Sequence, residues 1–336
     1  MNDSDHRQTQ TASGRDPLGE LIRAAGRRPQ PPREHYESVL AVSRSAWQRK
    51  VRGRRRRRWY ALAAAVVIAL GTALMFQSLE RTAAPVAALA VANGEIALFS
   101  AATGRWQPLS GTATKVFPGD RLRAGAVGRA ALTTEDGGSL RLDSATEIAL
   151  NGASSVELVA GTLYVDSGRT AAANVIEVAT PFGRVRDIGT QFEVRSSADS
   201  LRVRVRTGAV ELVQSPYAAD FRSPAGEEFE LLASGDVQLR EIAPDDDRWD
   251  WTATLAVAPD SDNQSILGYL KWIAHESGRL LRFDSPNTEL RAQLVSFRAD
   301  ARGFTPLEIL ESITKTSDFT CELTEDGAIL VRRNDP

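Results

Sequence analysis

A run of five arginines, Arg54, Arg55, Arg56, Arg57 and Arg58, followed by the eighteen uncharged residues Trp59 to Phe76, constrains this chain more than any other stretch. At a rise of about 1.5 Å per helical residue, that run with its polar fringe Gln77 and Ser78 covers the roughly 30 Å hydrocarbon core of a bilayer. The spacing predicts a single transmembrane helix over 59–78. Residues 1–58 hold fifteen Lys or Arg against six Asp or Glu, a balance of +9, so the remainder carries −11 of the total of −2. Basic excess beside an apolar span stays on the cytoplasmic side. The expected protein is therefore membrane-anchored by one helix, with its N-terminus in the cytoplasm and its bulk on the opposite side. Arg54 to Arg58 would lie on anionic lipid headgroups, with Trp59 and Tyr60 as interfacial anchors. A core helix is seldom so uniformly apolar at this length. A cleaved signal peptide calls for a short leading region where 58 residues stand, and the Arg57-Arg58-Trp59 match to a twin-arginine signal follows from any basic run.

Ahead of that span, residues 1–17 are polar and are expected to stay unstructured. In the next segment, Leu18, Leu21, Ile22 and Ala25 fall at helical spacing behind Asp16 as cap and Pro17 at the first helical position. A second helical pattern runs from Arg33 to about Lys50, with Tyr36, Val39, Leu40, Ser43 and Trp47 along one side. This basic arm is too short to bury a sizeable core. It reads as a docking segment that folds on a cytoplasmic partner, with Trp47 a candidate contact, or as a juxtamembrane segment held on lipid. A nucleic-acid role is not expected, because lipid already accounts for the arginines.

Beyond a linker over 79–90, the text over 91–243 changes period. Short runs alternate apolar and polar residues between glycines, among them 130–134, 139–143, 155–159, 162–166, 175–179, 191–195, 201–206 and 209–213. That is the period of half-buried strands. The region is expected to be all-β, a β-coil or sandwich. Leu158-x-x-Gly161-x-Leu163-x-Val165 returns as Val205-x-x-Gly208-x-Val210-x-Leu212, and in each case a tight glycine turn between two strands is expected. Arg202, Arg204 and Arg206 share one strand face, which reads either as a cationic binding face or as a solvated face cross-paired with Glu193 and Glu211; the second is favoured.

The last region, 249–333, reads β-α-β-β-α-β-β. Strands are expected at WTATLAV, at 280–283 and 293–297, and at the two closing runs DFTCEL and AILVR. One helix would carry Ile266, Leu267, Leu270, Ile273 and Ala274 on its buried face and stop at Gly278. The other would start from the capping box Thr305-Pro306-Leu307-Glu308 with Leu307, Leu310 and Ile313 inward.

The segment 179–195, ATPFGRVRDIGTQFEVR, resembles the core signature of the FecR domain, found in iron-dicitrate-sensor-like, single-pass regulators of sigma factors. The text over 128–148, VELVAGTLYVDSG and VRVRTGAVELV resemble its flanking landmarks, about 115 residues in all. Thr180, Pro181, Gly183, Asp187, Gly189, Thr190 and Phe192 match the signature. Their reading is structural: Pro181 and Gly183 mark a bend, Gly189 supplies a conformation closed to other residues, and Asp187 and Thr190 tie side-chain oxygens to nearby backbone. Phe182, Ile188 and Phe192 read as core plugs. In the last region, SILGYLKWIAHESG and TPLEILESI resemble the STN domain, a protein-binding module of secretins and TonB-dependent transducers. Trp272 reads either as a partner contact or as a partly buried helix residue.

No chemistry is apparent. The three histidines are His6, His35 and His275, and Cys321 is the single cysteine, which excludes an intrachain disulfide and a cysteine-based metal cluster. No glycine-rich phosphate loop and no nucleophile with a base is suggested. An enzyme, a cofactor and a small-molecule substrate are not expected. The resemblance implies a transducer: an outer-membrane TonB-dependent transducer's signalling domain would bind in the periplasm, and an extracytoplasmic-function sigma factor would bind the arm. One departure is that anti-sigma segments of the family usually carry several tryptophans, where this arm has only Trp47. The alternative is a membrane-anchored envelope scaffold with no sigma-factor role.

Overall fold

A computed structural model describes residues 17–26, 32–34, 37–44, 84–109, 111–135, 137–168, 175–259, 264–298, 301 and 303–334. The expected transmembrane helix, Arg54 to Arg58, Trp59, Tyr60 and Trp47 lie outside these residues. Among the described residues no helix is long and apolar enough to cross a membrane. Residues 1–79 and 80–336 form separate compact units. In the first, α1 (Pro17–Ala24) has proline at its first position, as expected, and 37–44 form α2. Leu21, Ile22 and Val39 are exposed.

The second unit opens with strands β1 (Ala87–Asn93), β2 (Ile96–Ser100), β3 (Arg105–Pro108), β4 (Lys115–Val116), β5 (Arg121–Ala124) and β6 (Arg129–Thr134). Next come β7 (Ser139–Leu142), β8 (Glu147–Gly152), β9 (Ser155–Asp166), β10 (Glu177–Thr180), β11 (Gly183–Asp187) and β12 (Gln191–Ser196). The series closes with β13 (Ser200–Thr207), β14 (Ala209–Val213), β15 (Phe221–Pro224), β16 (Glu227–Leu232) and β17 (Val237–Glu241). β1 starts inside the stretch expected to be linker. Pairing divides these strands into two layers. The first runs β4-β1-β6-β7-β9-β12-β13-β16-β17. The second runs β3-β2-β5-β8-β9-β10-β11-β14-β15. β9 belongs to both, residues 155–160 in the second layer and 161–166 in the first.

The alternation legible in the text becomes two faces. Leu140, Leu142, Leu163, Val165, Phe192, Val194, Val203 and Val205 are buried in one core cluster with Val178, Val185, Val210 and Leu212 of the second layer. Phe182 and Phe192 are core residues as expected, but Ile188 is 41% exposed. It sits in the irregular β11–β12 connection, where no strand holds its side chain inward.

The two matching glycines are not tight turns between hairpin strands. Gly161 lies within the continuous β9, and Gly208 joins β13 to β14, which belong to different layers. Both have positive φ, 98° and 75°. A Cβ on Gly161 would come within 2.4 Å of Thr146 Oγ1 and 2.7 Å of the Ala145 carbonyl; on Gly208 it would meet Thr190 Cγ2 at 2.5 Å and the Gly189 carbonyl at 2.6 Å. The repeat marks the corners where the chain passes from one layer to the other.

The C-terminal module departs from the expected order. WTATLAV is not a strand; after a 3-10 turn, Asp247–Trp249, it holds a one-turn helix, α3 (Asp250–Ala253). Then follow α4 (Ile266–Ser277), β18 (Leu281–Phe283), α5 (Pro286–Leu294), α6 (Pro306–Thr316), β19 (Phe319–Leu323) and β20 (Ile329–Arg333). The expected strand at 293–297 is reduced to a bridge, Ser265 to Ser296, because α5 runs to Leu294. Ser285 starts that helix by accepting from the Thr288 N–H, with Pro286 at the first position. The remaining expectations for the helices are met by α4, which ends at Gly278 with φ 67°, and by the Thr305–Glu308 capping box of α6. Leu307, expected inside, is 40% exposed, and Pro306, Ile309, Leu310 and Ile313 form the buried face instead. The three strands pair in the order β18-β20-β19.

Alanine at Gly161 or Gly208 is expected to cost about 1–3 kcal/mol, from strain at positive φ and the backbone clash. Gly152, whose Cβ would meet nothing within 4 Å, should tolerate alanine with little change. Urea unfolding midpoints of the three variants test this.

Candidate functional site

The polar face of the first layer is where the structure concentrates its chemistry. Side chains alternate along a strand, so the residues between the core positions of β7, β9, β12, β13, β16 and β17 all point away from the core. Register lines them up in one row: Arg141 opposite Tyr164, Tyr164 opposite Glu193, Glu193 opposite Arg204, Arg204 opposite Glu228, and Glu228 opposite Arg240. The segment 242–255 and helix α4 cover the middle of this row. The arginine ladder is therefore neither a cationic binding face nor a solvated one, but its expected cross-pairing with Glu193 is present, at Arg202 and Arg204. Arg204 and Arg206 are buried, Arg204 between Glu193 and Glu228, and Glu211 lies in the other layer.

Arg141 is the centre of the contact. At 1% exposure it donates from Nη2 to Glu276 Oε1 at 2.8 Å, and its Nη1 lies 2.8 Å from Glu276 Oε2. Nη1 also donates to the Thr252 carbonyl at 2.8 Å. Burial works against the charge of Arg141, but the facing Glu276 carboxylate more than offsets it, and the guanidinium pKa rises above its ordinary value. Arg206 grips the same helix end from the next strand row. It donates to the Pro244 carbonyl at 2.6 Å and the Glu276 carbonyl at 2.9 Å, and lies 5.3 Å from the Trp249 ring. A cation at the last carbonyls of a helix satisfies groups the helix itself leaves unpaired.

Aromatic residues fill the space between these charges. Tyr164 meets Trp249 and Trp251 edge-on, at centroid distances of 6.1 and 6.5 Å. Burial raises the Tyr164 pKa, so its hydroxyl stays protonated. Trp249 donates to the Ala243 carbonyl and Trp251 to Glu193 Oε2, each at 2.9 Å. At the rim, His275 Nε2 lies 2.7 Å from Asp166 Oδ2, and Gln191 donates to the same oxygen at 3.1 Å. Burial opposes the charge of Asp166, yet His275, the Gly168 N–H and Gln191 together hold its pKa at about 2.

The signature residues sit beside this contact and build it indirectly. Thr180 ties the β10–β11 hairpin through the Phe182 N–H and the Gly183 carbonyl. Asp187 and Thr190 bond to each other through their side chains, and the Thr190 N–H donates to Ser167 Oγ at 2.9 Å. Burial raises the Asp187 pKa. That knot fixes the start of β12, so Phe192 points to the core while Gln191 and Glu193 point to the module. Trp272, at 9% exposure, packs in the module's own core. Arg141, Asp166, Gln191 and Glu276 escaped the sequence reading, while Glu193 and Arg206 entered it only as members of a strand face. The available signal was polar residues at every outward position of strands too apolar on their other side to be surface hairpins. Among the described residues no group of three or more His, Cys, Asp or Glu could hold a metal ion.

Residues 120–211 match the family model described as FecR protein. No curated protein matches the chain. Two crystal structures of a candidate anti-sigma factor from Parabacteroides distasonis ATCC 8503, at 2.50 and 1.65 Å resolution, align over 64% of this chain and 99% of theirs, at 15% and 16% identity and a TM-score of 0.34. At that score the likeness carries no argument about fold or role.

Removing one member of the buried pair leaves an uncompensated charge, so Arg141→Met is expected to destabilise the unit by about 3–5 kcal/mol. Adding Glu276→Met should recover much of that loss, which a double-mutant cycle in urea measures. Asp166 has a folded pKa of about 2, below the roughly 3.9 of an unfolded chain. Its contribution is complete above pH ~4 and disappears as pH falls towards 2. Asp166→Asn should flatten the stability profile across that window.

Proposed function

We propose that this chain is a non-enzymatic regulator of a sigma factor that receives a protein signal on one side of the inner membrane and acts on the other. The observation that carries the reading is the match of 120–211 to the FecR protein family model, joined to the resemblance that implies sigma-factor control. Two further features agree with it. α1 and α2 belong to a unit separate from the β layers, and Leu21, Ile22 and Val39 are exposed there, as a segment that folds onto a partner requires. The buried polar seat gives the C-terminal module a fixed attachment to the β layers. A protein bound to the module would therefore act on both as one body.

In this reading the arm over 1–58 binds an extracytoplasmic-function sigma factor, the span 59–78 crosses the membrane, and the unit beyond it meets the signalling domain of an outer-membrane TonB-dependent transducer. Binding outside must differ in free energy between two states of the arm, because a ligand indifferent to the two shifts nothing.

The test is a sigma-dependent reporter in cells carrying the full chain or the chain without residues 1–58, with capture on the arm from cytosol. The expected result is a recovered sigma factor and altered reporter output on deletion. Unchanged output with no sigma factor recovered would sink the regulatory reading and leave the envelope-scaffold one. A reporter enzyme joined after residue 84 should be active only in its periplasmic form.

A further inference from the structure

β18 is an edge strand whose free side opens into a groove of about 590 Å3 between α4 and α5. The direction of its main chain follows from the bonds it already makes. The Leu280 carbonyl accepts from the Ile329 N–H at 2.7 Å, and the Asp284 N–H donates to the Val331 carbonyl at 3.1 Å. Arg282 lies between them, opposite Leu330 in parallel register. Alternation along the strand turns the N–H and C=O groups of Leu281 and Phe283 away from β20, into the groove. Among the described residues no strand pairs with β18 on that side. Native sheets blunt an open edge with charge, proline or a covering element; here the covering helices stand back and leave a slot that both residues line.

The groove walls carry charge in a set order. Lys271 projects from α4 on one side, and Asp284 and Glu289 stand at the β18–α5 end. None of these three side chains forms an ion pair among the described residues.

We infer that this groove takes an extended segment of a partner protein, added as a fourth strand against β18. Its main chain bonds the Leu281 and Phe283 peptide groups, an acidic side chain meets Lys271, and a basic one meets Asp284 and Glu289. Main-chain bonds supply affinity in this mode and side-chain pockets supply the choice of sequence. A row of paired donors and acceptors at strand spacing fits a polypeptide main chain better than a compact small molecule. The inference rests on the proposed role of the C-terminal module as receiver of a protein signal, and names the kind of segment that would be received.

The probe is a library of random short peptides displayed on phage, panned against the full chain in detergent. The expected winners alternate apolar residues and carry an acid at one end and a base at the other. Their binding should slow amide exchange at Leu281 and Phe283. Leu281→Pro removes an N–H that faces the groove and none that faces β20, and is expected to weaken binding roughly tenfold or more with the unfolding midpoint preserved. Lys271→Glu alters only an exposed side chain and should reverse the selected charge at that end. No enrichment, or winners indifferent to both variants, overturns the inference, as does capture of small molecules but no peptide. The sigma reporter separates the two proposals. If deleting the arm changes output but Leu281→Pro leaves signalling intact, the regulatory reading stands and the groove falls. If peptides bind as expected while the reporter ignores the arm, the groove stands and the regulatory reading falls.

Discussion

The second unit of this chain depends on the pair Arg141 and Glu276, two charges held out of water. Such a pair is poor evidence for net stability, because desolvation consumes most of what the Coulomb attraction returns. Its effect is on geometry. A carboxylate on the last turn of α4 can meet a guanidinium in the middle of β7 in only one placement of the module. Arg206 on the Glu276 carbonyl and Trp251 on Glu193 then agree with that placement. Arg141 and Arg206 would otherwise lose these partners, so the module and the sheet specify each other.

The β period was legible because it is local. SLRL, QFEVR and LRVRVR each announce which residues face the core, and the structure puts Leu140, Phe192 and Val203 there. What covers the opposite face was not legible, because Glu276 is 135 residues from Arg141 along the chain and no local pattern links them. The same limit explains the ladder: Arg202, Arg204 and Arg206 show a shared face, but only the fold shows that face lying under Pro244, Trp249 and Glu276. In the C-terminal module, cap residues were the better guide. Thr305 with Glu308, and Gly278, located helix ends correctly, whereas the run QLVSF suggested a strand whose first two residues belong to the helix that Ser285 and Pro286 start.

The glycine echo was legible as a pattern and misread as a motif. Hairpin turns and layer crossings both call for positive φ next to two strands. Only tertiary pairing tells them apart: Gly161 has the same strand on both sides of it, in two different sheets.

That crossing pattern alters the distance between the ends of the second unit. In sequence, Glu276 follows Ala87, the first residue of β1, by 276 − 87 = 189 residues. Across the sheet, β7 and β1 are separated only by β6, and Arg141 stands in register with Ala131 and Val91, so it lies about two strand spacings, roughly 10 Å, from the first strand of the β layers. A displacement of α4 thus reaches β1 sideways through two rows of hydrogen bonds, bypassing the long contour of the polypeptide.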